Sequence, residues 1–191
     1  MTPTPRHFSH VVGFDDAPFD RNHRGDVRVF GAVYAGDRLD GVLSGKVRRD
    51  GANATRVIAE LVEGSRFRAH LQLVLLQGIA LAGFNVVDIH ALHRRLALPV
   101  AVVARQAPDL PAIRAALLHR VRGGHRKWQL IERAGPMQAI AGVYVQRAGI
   151  SAEEAARMIG EHARHGAVPE PLRTAHIIAG GVVTGESRRR V

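Results

Sequence analysis

Two short stretches, Leu71 to Leu76 and Pro99 to Ala104, are almost wholly apolar. Each is too short for a typical buried helix and too continuous for a strand with one wet face. Such runs are expected in strands covered on both sides, which are usually parallel and joined by helical crossovers. The segments around them carry helical spacing. Asn53 is placed to cap a helix with Val57, Ile58, Leu61 and Val62 on one stripe, ended by Gly64. Asn85 is expected to cap a second, with Ile89, Leu92 and Leu96 inside. Asp109-Leu110-Pro111 opens a third through Val121, which Gly123-Gly124 stops.

Ahead of this alternation the period is two. Val11, Val12 and Phe14 form a short apolar run that ends at Asp15 and Asp16 and is closed by Pro18. Residues 27–35 and 39–49 alternate loosely and are separated by Gly36-Asp37-Arg38, a hairpin-type turn. Three strands joined in this way make an antiparallel meander. Towards the carboxyl end, residues 125–140 are irregular, with Trp128 to Glu132 reading as a short helix or a strand, and Val143 and Val145 suggest one more strand. Ser151 and Glu154 form a capping-box pair before a helix, and Pro169-Glu170-Pro171 starts a last helix running through Ile178. The fold class expected is α/β: a mixed sheet, an antiparallel three-strand meander plus parallel strands, flanked by helices. A single domain is expected over 9–185, with a flexible amino terminus (1–8) and a mobile basic tail (186–191).

Hydrophobic residues make up 46% of the 191, as in globular proteins. No apolar run approaches the roughly 20 residues that cross a bilayer, and Met1 to His10 lacks the apolar core of a signal peptide. No membrane association and a cytoplasmic location are therefore expected. There is no cysteine, so any metal would be held by oxygen or imidazole. The formal net charge is +10, carried almost entirely by arginine, since Lys46 and Lys127 are the two lysines. An excess of this size suits a polyanionic partner, most simply nucleic acid.

Two acids at the end of a buried strand are costly unless they meet a cation or water. Asp15 is placed to present oxygen to a divalent metal; Asp and Pro also favour turns, so the pair equally opens one. In an extended chain Asp16 points to the opposite face from Asp15. His90 and His93 lie three apart on a helix and read as surface residues; His119 and His125 flank the Gly-Gly turn and read as solvated.

The meander followed by helix-linked strands, with an Asp ending the first, resembles the ribonuclease H-like fold, and more closely endonuclease V. Val12-Gly13-Phe14-Asp15 looks like that family's first metal-binding strand. Leu75-Leu76-Gln77-Gly78 looks like its fourth, which normally ends in Asp-Gly. Leu98 to Arg105 looks like its fifth, which normally ends in Lys. Pro169-Glu170-Pro171-Leu172-Arg173-Thr174-Ala175-His176 is similar to the start of its last helix. With the run Gly83 to Asp88, the chain most resembles the endonuclease V-like family termed domain of unknown function ninety-nine.

Endonuclease V cleaves a phosphodiester near a deaminated purine using Mg²⁺ or Mn²⁺. The resemblance therefore implies a divalent-metal-dependent nuclease acting on nucleic acid, with Asp15, Arg105 and His176 catalytic. Its metal ligands would be Asp15, Asp50 and Asp88; Asp88 also reads as a first-turn helix acid. Arg105, in place of the family's Lys, and Arg173 would hold phosphate. The third family carboxylate falls on Gln77, a neutral and poorer ligand, and the damage-sensing Tyr wedge has no counterpart. The alternatives are a non-catalytic nucleic-acid-binding relative, with the metal site eroded at Gln77, or a binder of a small phosphorylated ligand.

Overall fold

The computed structural model describes residues 6–187. Three strands come first: β1 (His10–Asp16), β2 (Asp26–Ala35) and β3 (Arg38–Arg48). Then follow α1 (Ala54–Glu63), β4 (Leu73–Gln77), β5 (Ala80–Leu81), β6 (Asn85–Val86) and α2 (Ile89–Leu96). The remainder is β7 (Val100–Ala104), α3 (Leu110–Arg120), α4 (Gly124–Ala134), β8 (Gln138–Ile140), β9 (Val143–Ala148), α5 (Ala152–His162) and α6 (Glu170–Thr184).

Seven strands form one mixed sheet in the order β3-β2-β1-β4-β7-β9-β8. The meander is antiparallel, β1, β4 and β7 are parallel, and β9 returns antiparallel to β7. Because both faces of the central strands are covered, Leu73 to Leu76 and Val100 to Val103 are fully buried. On one face Val12, Phe14, Val74 and Leu76 pack with Ile58 of α1 and Leu92 and Leu96 of α2. On the other, Val11, Leu73, Leu75 and Val103 pack with Met158 of α5 and Leu172 of α6. The carboxyl ends of β1, β4 and β7 thus emerge side by side, the edge at which open α/β sheets bind ligands.

Gly13 sets how closely α6 approaches this sheet. A methyl group there would lie 2.6 Å from the Pro171 carbonyl carbon and 2.7 Å from the Leu172 nitrogen, both backbone atoms. Gly124 is under the same constraint from the Leu117 carbonyl, which is why α4 starts against the end of α3.

Several local expectations change. Residues 125–140 hold a full helix, α4, and the hairpin strand β8; Gly123 opens that helix with a left-handed turn, so no polar cap residue announces it in the sequence. Asn53 heads α1, but its side chain makes no cap bond there. The β5–β6 hairpin has two-residue strands, too short to show a period. Asn85 does not cap α2. It is fully buried, accepts from Ala54 N of α1 at 3.0 Å, and donates to Arg48 O at 2.8 Å and to Asn53 Oδ1 at 2.7 Å. Asp88 caps α2 through Ala91 N instead. The Ser151–Glu154 capping box is present, and Arg6 braces Glu154 at 2.8 Å. The flexible amino terminus was expected to reach residue 8, but Phe8 is 3% exposed and packs in the second core. Most of the expected basic tail, Arg188 to Val191, lies outside the described residues.

Two alanine substitutions separate backbone contact from helix propensity. Gly13→Ala is expected to destabilise by about 1–3 kcal/mol, because backbone cannot yield as a side chain does. Gly160→Ala, in α5 with nothing near its added methyl, is expected to stabilise by about 0.4–1 kcal/mol. Urea unfolding of the two variants measures both.

Candidate functional site

Asp15 closes β1 on the face that α6 covers. It is 5% exposed, and both of its oxygens are engaged. Oδ1 accepts from the Asp16 backbone N–H at 2.9 Å, and Oδ2 meets His176 Nδ1 at 2.8 Å. With a carboxylate as acceptor, Nδ1 carries the hydrogen, and Nε2 is left as the nitrogen that Asp15 does not engage. The His176 side chain is 32% exposed and lines an open cavity of about 1010 Å³, walled by residues 15–20 and by the later turns of α6. A histidine oriented by a buried carboxylate at the rim of a cavity is an arrangement that can move a proton.

Asp16 points the other way, as alternation requires. Its Oδ2 accepts from Ala82 N at 3.0 Å. Burial, reinforced by the Asp15 charge, pushes its carboxyl up to about 6. Gln77 follows Leu76, the partner of Phe14 in the parallel ladder, so its register position is beside Asp15 and on the same face. Its Oε1 is buried without a hydrogen-bond partner among the described residues. Arg105 is exposed just beyond β7, two residues past Val103, which pairs with Gln77. Asp15, Gln77, Arg105 and His176 therefore belong to one edge of the sheet.

The other expected site residues do not join them. Asp50 has φ +51, and its Oδ1 accepts from Phe84 N at 2.8 Å while Oδ2 meets Arg49 Nε at 3.3 Å. Asp88 accepts from Ala91 N at 3.0 Å and from Arg133 at 2.5 Å. Both carboxylates are thus committed to turns and helix ends, and among the described residues no group of three His, Asp or Glu side chains is arranged to hold a metal. Arg173 is also diverted, with Nε 2.8 and 2.9 Å from the two Glu170 oxygens. Burial would raise the Glu170 carboxyl, but the hydrogen bonds from Arg173 and His165 hold it below its usual value. His90 and His93 each bond a backbone carbonyl, of Arg133 and Leu98, and do not act as a ligand pair.

Phe19 and Arg49 were missed in the sequence. Phe19 lines the cavity and Arg49 stacks over its ring at 5.5 Å. The signal lay in Pro18-Phe19, an aromatic held out of the strand by proline.

The order of the mixed sheet, an antiparallel meander followed by parallel strands, gives the chain a ribonuclease H-like fold. A profile of the family described as Endonuclease dU matches residues 7–183, and the chain belongs to that family. A Deinococcus radiodurans protein termed UPF0215 is 61% identical over 188 residues, covering 97% of this chain and 96% of that one. The crystal structure of an Archaeoglobus fulgidus protein of unknown function superposes with a TM-score of 0.84 at 32% identity, covering 91% of this chain and 98% of that one. Ciona intestinalis endonuclease V, in complex with a DNA 24-mer containing an inosine followed by a ribo-adenosine, superposes with a TM-score of 0.55 at 14% identity. That match covers 88% of this chain and 82% of that one, a likeness of fold. No helix among the described residues is long and apolar enough to cross a membrane.

The Asp16 shift has a sign that stability measurements read. The folded protein holds this proton more tightly than the unfolded chain does, so the contribution is complete below about pH 3.8 and is lost as the pH rises through about 6. Asp16→Asn keeps an acceptor for Ala82 N and removes the titration. The variant is expected to gain on the parent between about pH 4 and about pH 7, approaching about 3 kcal/mol. Denaturant unfolding across that range checks it.

Proposed function

We propose that this protein binds nucleic acid along the carboxyl ends of β1, β4 and β7, and that deoxyuridine in DNA is the feature it engages. The Asp15–His176 pair, set in an open cavity at that edge in a chain of net charge +10, carries the reading. The fold likeness to an endonuclease V in complex with DNA supports the partner, and the family description supports deoxyuridine. Binding is better supported than two-metal cleavage, because Asp50 and Asp88 are committed elsewhere.

Strand cleavage at the same site is the second reading, favoured by the geometry of Asp15 and His176 and by the endonuclease in the family description. A hard cation, Mg²⁺ or Mn²⁺, would be held by the second lone pairs of the Asp15 oxygens and by Gln77 Oε1, which has no hydrogen-bond partner among the described residues. Such an ion would supply stabilisation of phosphate charge. Asp15 fixes the imidazole, His176 Nε2 accepts or returns a proton, and Arg105 holds a phosphate oxygen as a planar fork. Phe19 offers a face on which a base can stack.

The test uses end-labelled DNA, single-stranded and duplex, with one deoxyuridine, thymidine or inosine, and matching RNA, in Mg²⁺, Mn²⁺ or chelator. Tighter binding to deoxyuridine DNA with a steep loss on adding salt is expected. Cleavage reduced roughly a hundredfold or more in both Asp15→Ala and His176→Ala would establish the second reading. No cleavage with retained binding would leave the first. A shallow salt dependence, or none, would remove nucleic acid as the partner and favour a small phosphorylated ligand.

A further inference from the structure

A second cavity, of about 760 Å³, opens between α4 and the amino-terminal turns of α1 and α2. Neither reading of the Asp15 site uses it. Its cations come from α4 and the turn before it: Arg122 just ahead of the helix, then Arg126, Lys127 and Arg133 within it. Residues 126 and 133 are two turns apart, so the stripe runs about 10 Å along the helix, and Arg122 precedes it across the left-handed Gly123. The two acids of the cavity are already engaged, Asp50 by Phe84 N and Arg49, and Asp88 by Ala91 N and Arg133. Arg122 and Arg126 are exposed and make no ion pair among the described residues. The α4 amino end adds to this field, having no acid in its first turn and no side-chain cap.

The two cavities are linked by a short relay. Ala82 N donates to Asp16 Oδ2 at 3.0 Å, and Ala82 O accepts from Asp50 N at 2.9 Å. Asp50 O then accepts from Lys127 Nζ at 2.5 Å. Lys127 is 5% exposed, so it anchors α4 rather than meeting a ligand itself. Arg126 precedes it in the chain. The basic stripe therefore flanks the Asp15 site at the same edge of the sheet.

We infer that Arg122 and Arg126 bind backbone phosphates of the strand whose target nucleotide sits at Asp15 and His176. This rests on the nucleic-acid reading above and adds where the flanking strand runs. Guanidinium forks match phosphate oxygens, whereas no aromatic side chain lines this cavity to stack on a base. Contacts of this kind position a strand without reading its sequence.

Fluorescence anisotropy across a salt series tests it, using a 20-mer with one central deoxyuridine and its thymidine counterpart. Arg122→Ala/Arg126→Ala is compared with Arg38→Ala/Arg164→Ala, two exposed arginines at the opposite end of the sheet. Thermal unfolding confirms that both doubles remain folded. The first double is expected to lower the slope of log affinity against log salt by about 2, with affinity falling roughly tenfold or more and equally for both probes. The control double should leave both nearly unchanged. Equal slopes in the two doubles, with the parent still binding, would overturn the flanking site and leave the nucleic-acid reading standing. A parent that binds neither probe would overturn that reading and the flanking site with it.

Discussion

The contact on which the site depends is between two stretches of backbone. Gly13 lets Pro171 and Leu172 lie against β1 at a distance no side chain would allow. That approach starts α6 beside the strand, and His176, two turns into the helix, then falls on the carboxylate two residues beyond Gly13. The Asp15–His176 bond of 2.8 Å is a consequence of packing before it is a matter of chemistry. Leu172 and Ala175 hold α6 in the core, so the helix that carries His176 is fixed against the sheet by apolar packing.

The remaining acids are distributed so that, among the described residues, no three of them or of the histidines gather to hold a metal. Asp50 and Asp88 each satisfy backbone N–H groups that would otherwise be orphaned at a turn and a helix start. Asp16 turns inward and accepts from Ala82, whose own carbonyl accepts from Asp50 N. The loop between β4 and α2 thereby joins the strand that carries the site to the helix that carries the arginine stripe. Gln77 stands at the register position beside Asp15 with a buried oxygen that has no partner among the described residues, a polar atom that folding alone does not account for.

Much of this was legible in the chain. Alternation from Val27 and the unbroken apolar runs at 73–76 and 100–103 announce the meander and the parallel strands, because burial on one face or two leaves different periods. Asp109, Ser151 and Pro169 mark helix starts through chemistry that acts within a few residues. Local signals failed where the partner is distant. Asn85 has the residue type of a cap, yet its partners are Arg48, Asn53 and Ala54, more than thirty residues away. Asp50 and Asp88 have the residue type of metal ligands, and only the fold reveals which N–H groups they meet. α4 was obscure because a left-handed glycine replaces its cap. Asp15 and His176 were each named by resemblance to separate family motifs, and no local pattern predicts that the two, 161 residues apart, meet.

The chemistry of the site turns on the state of one imidazole. With the histidines labelled with ¹⁵N, NMR of the resting protein near neutral pH reports which ring nitrogen of His176 carries the hydrogen. Hydrogen on Nδ1, bonded to a carboxylate, is expected, with loss of that signature in Asp15→Asn. An Nε2–H tautomer in the parent, or a His176 signal indifferent to Asp15, would contradict it.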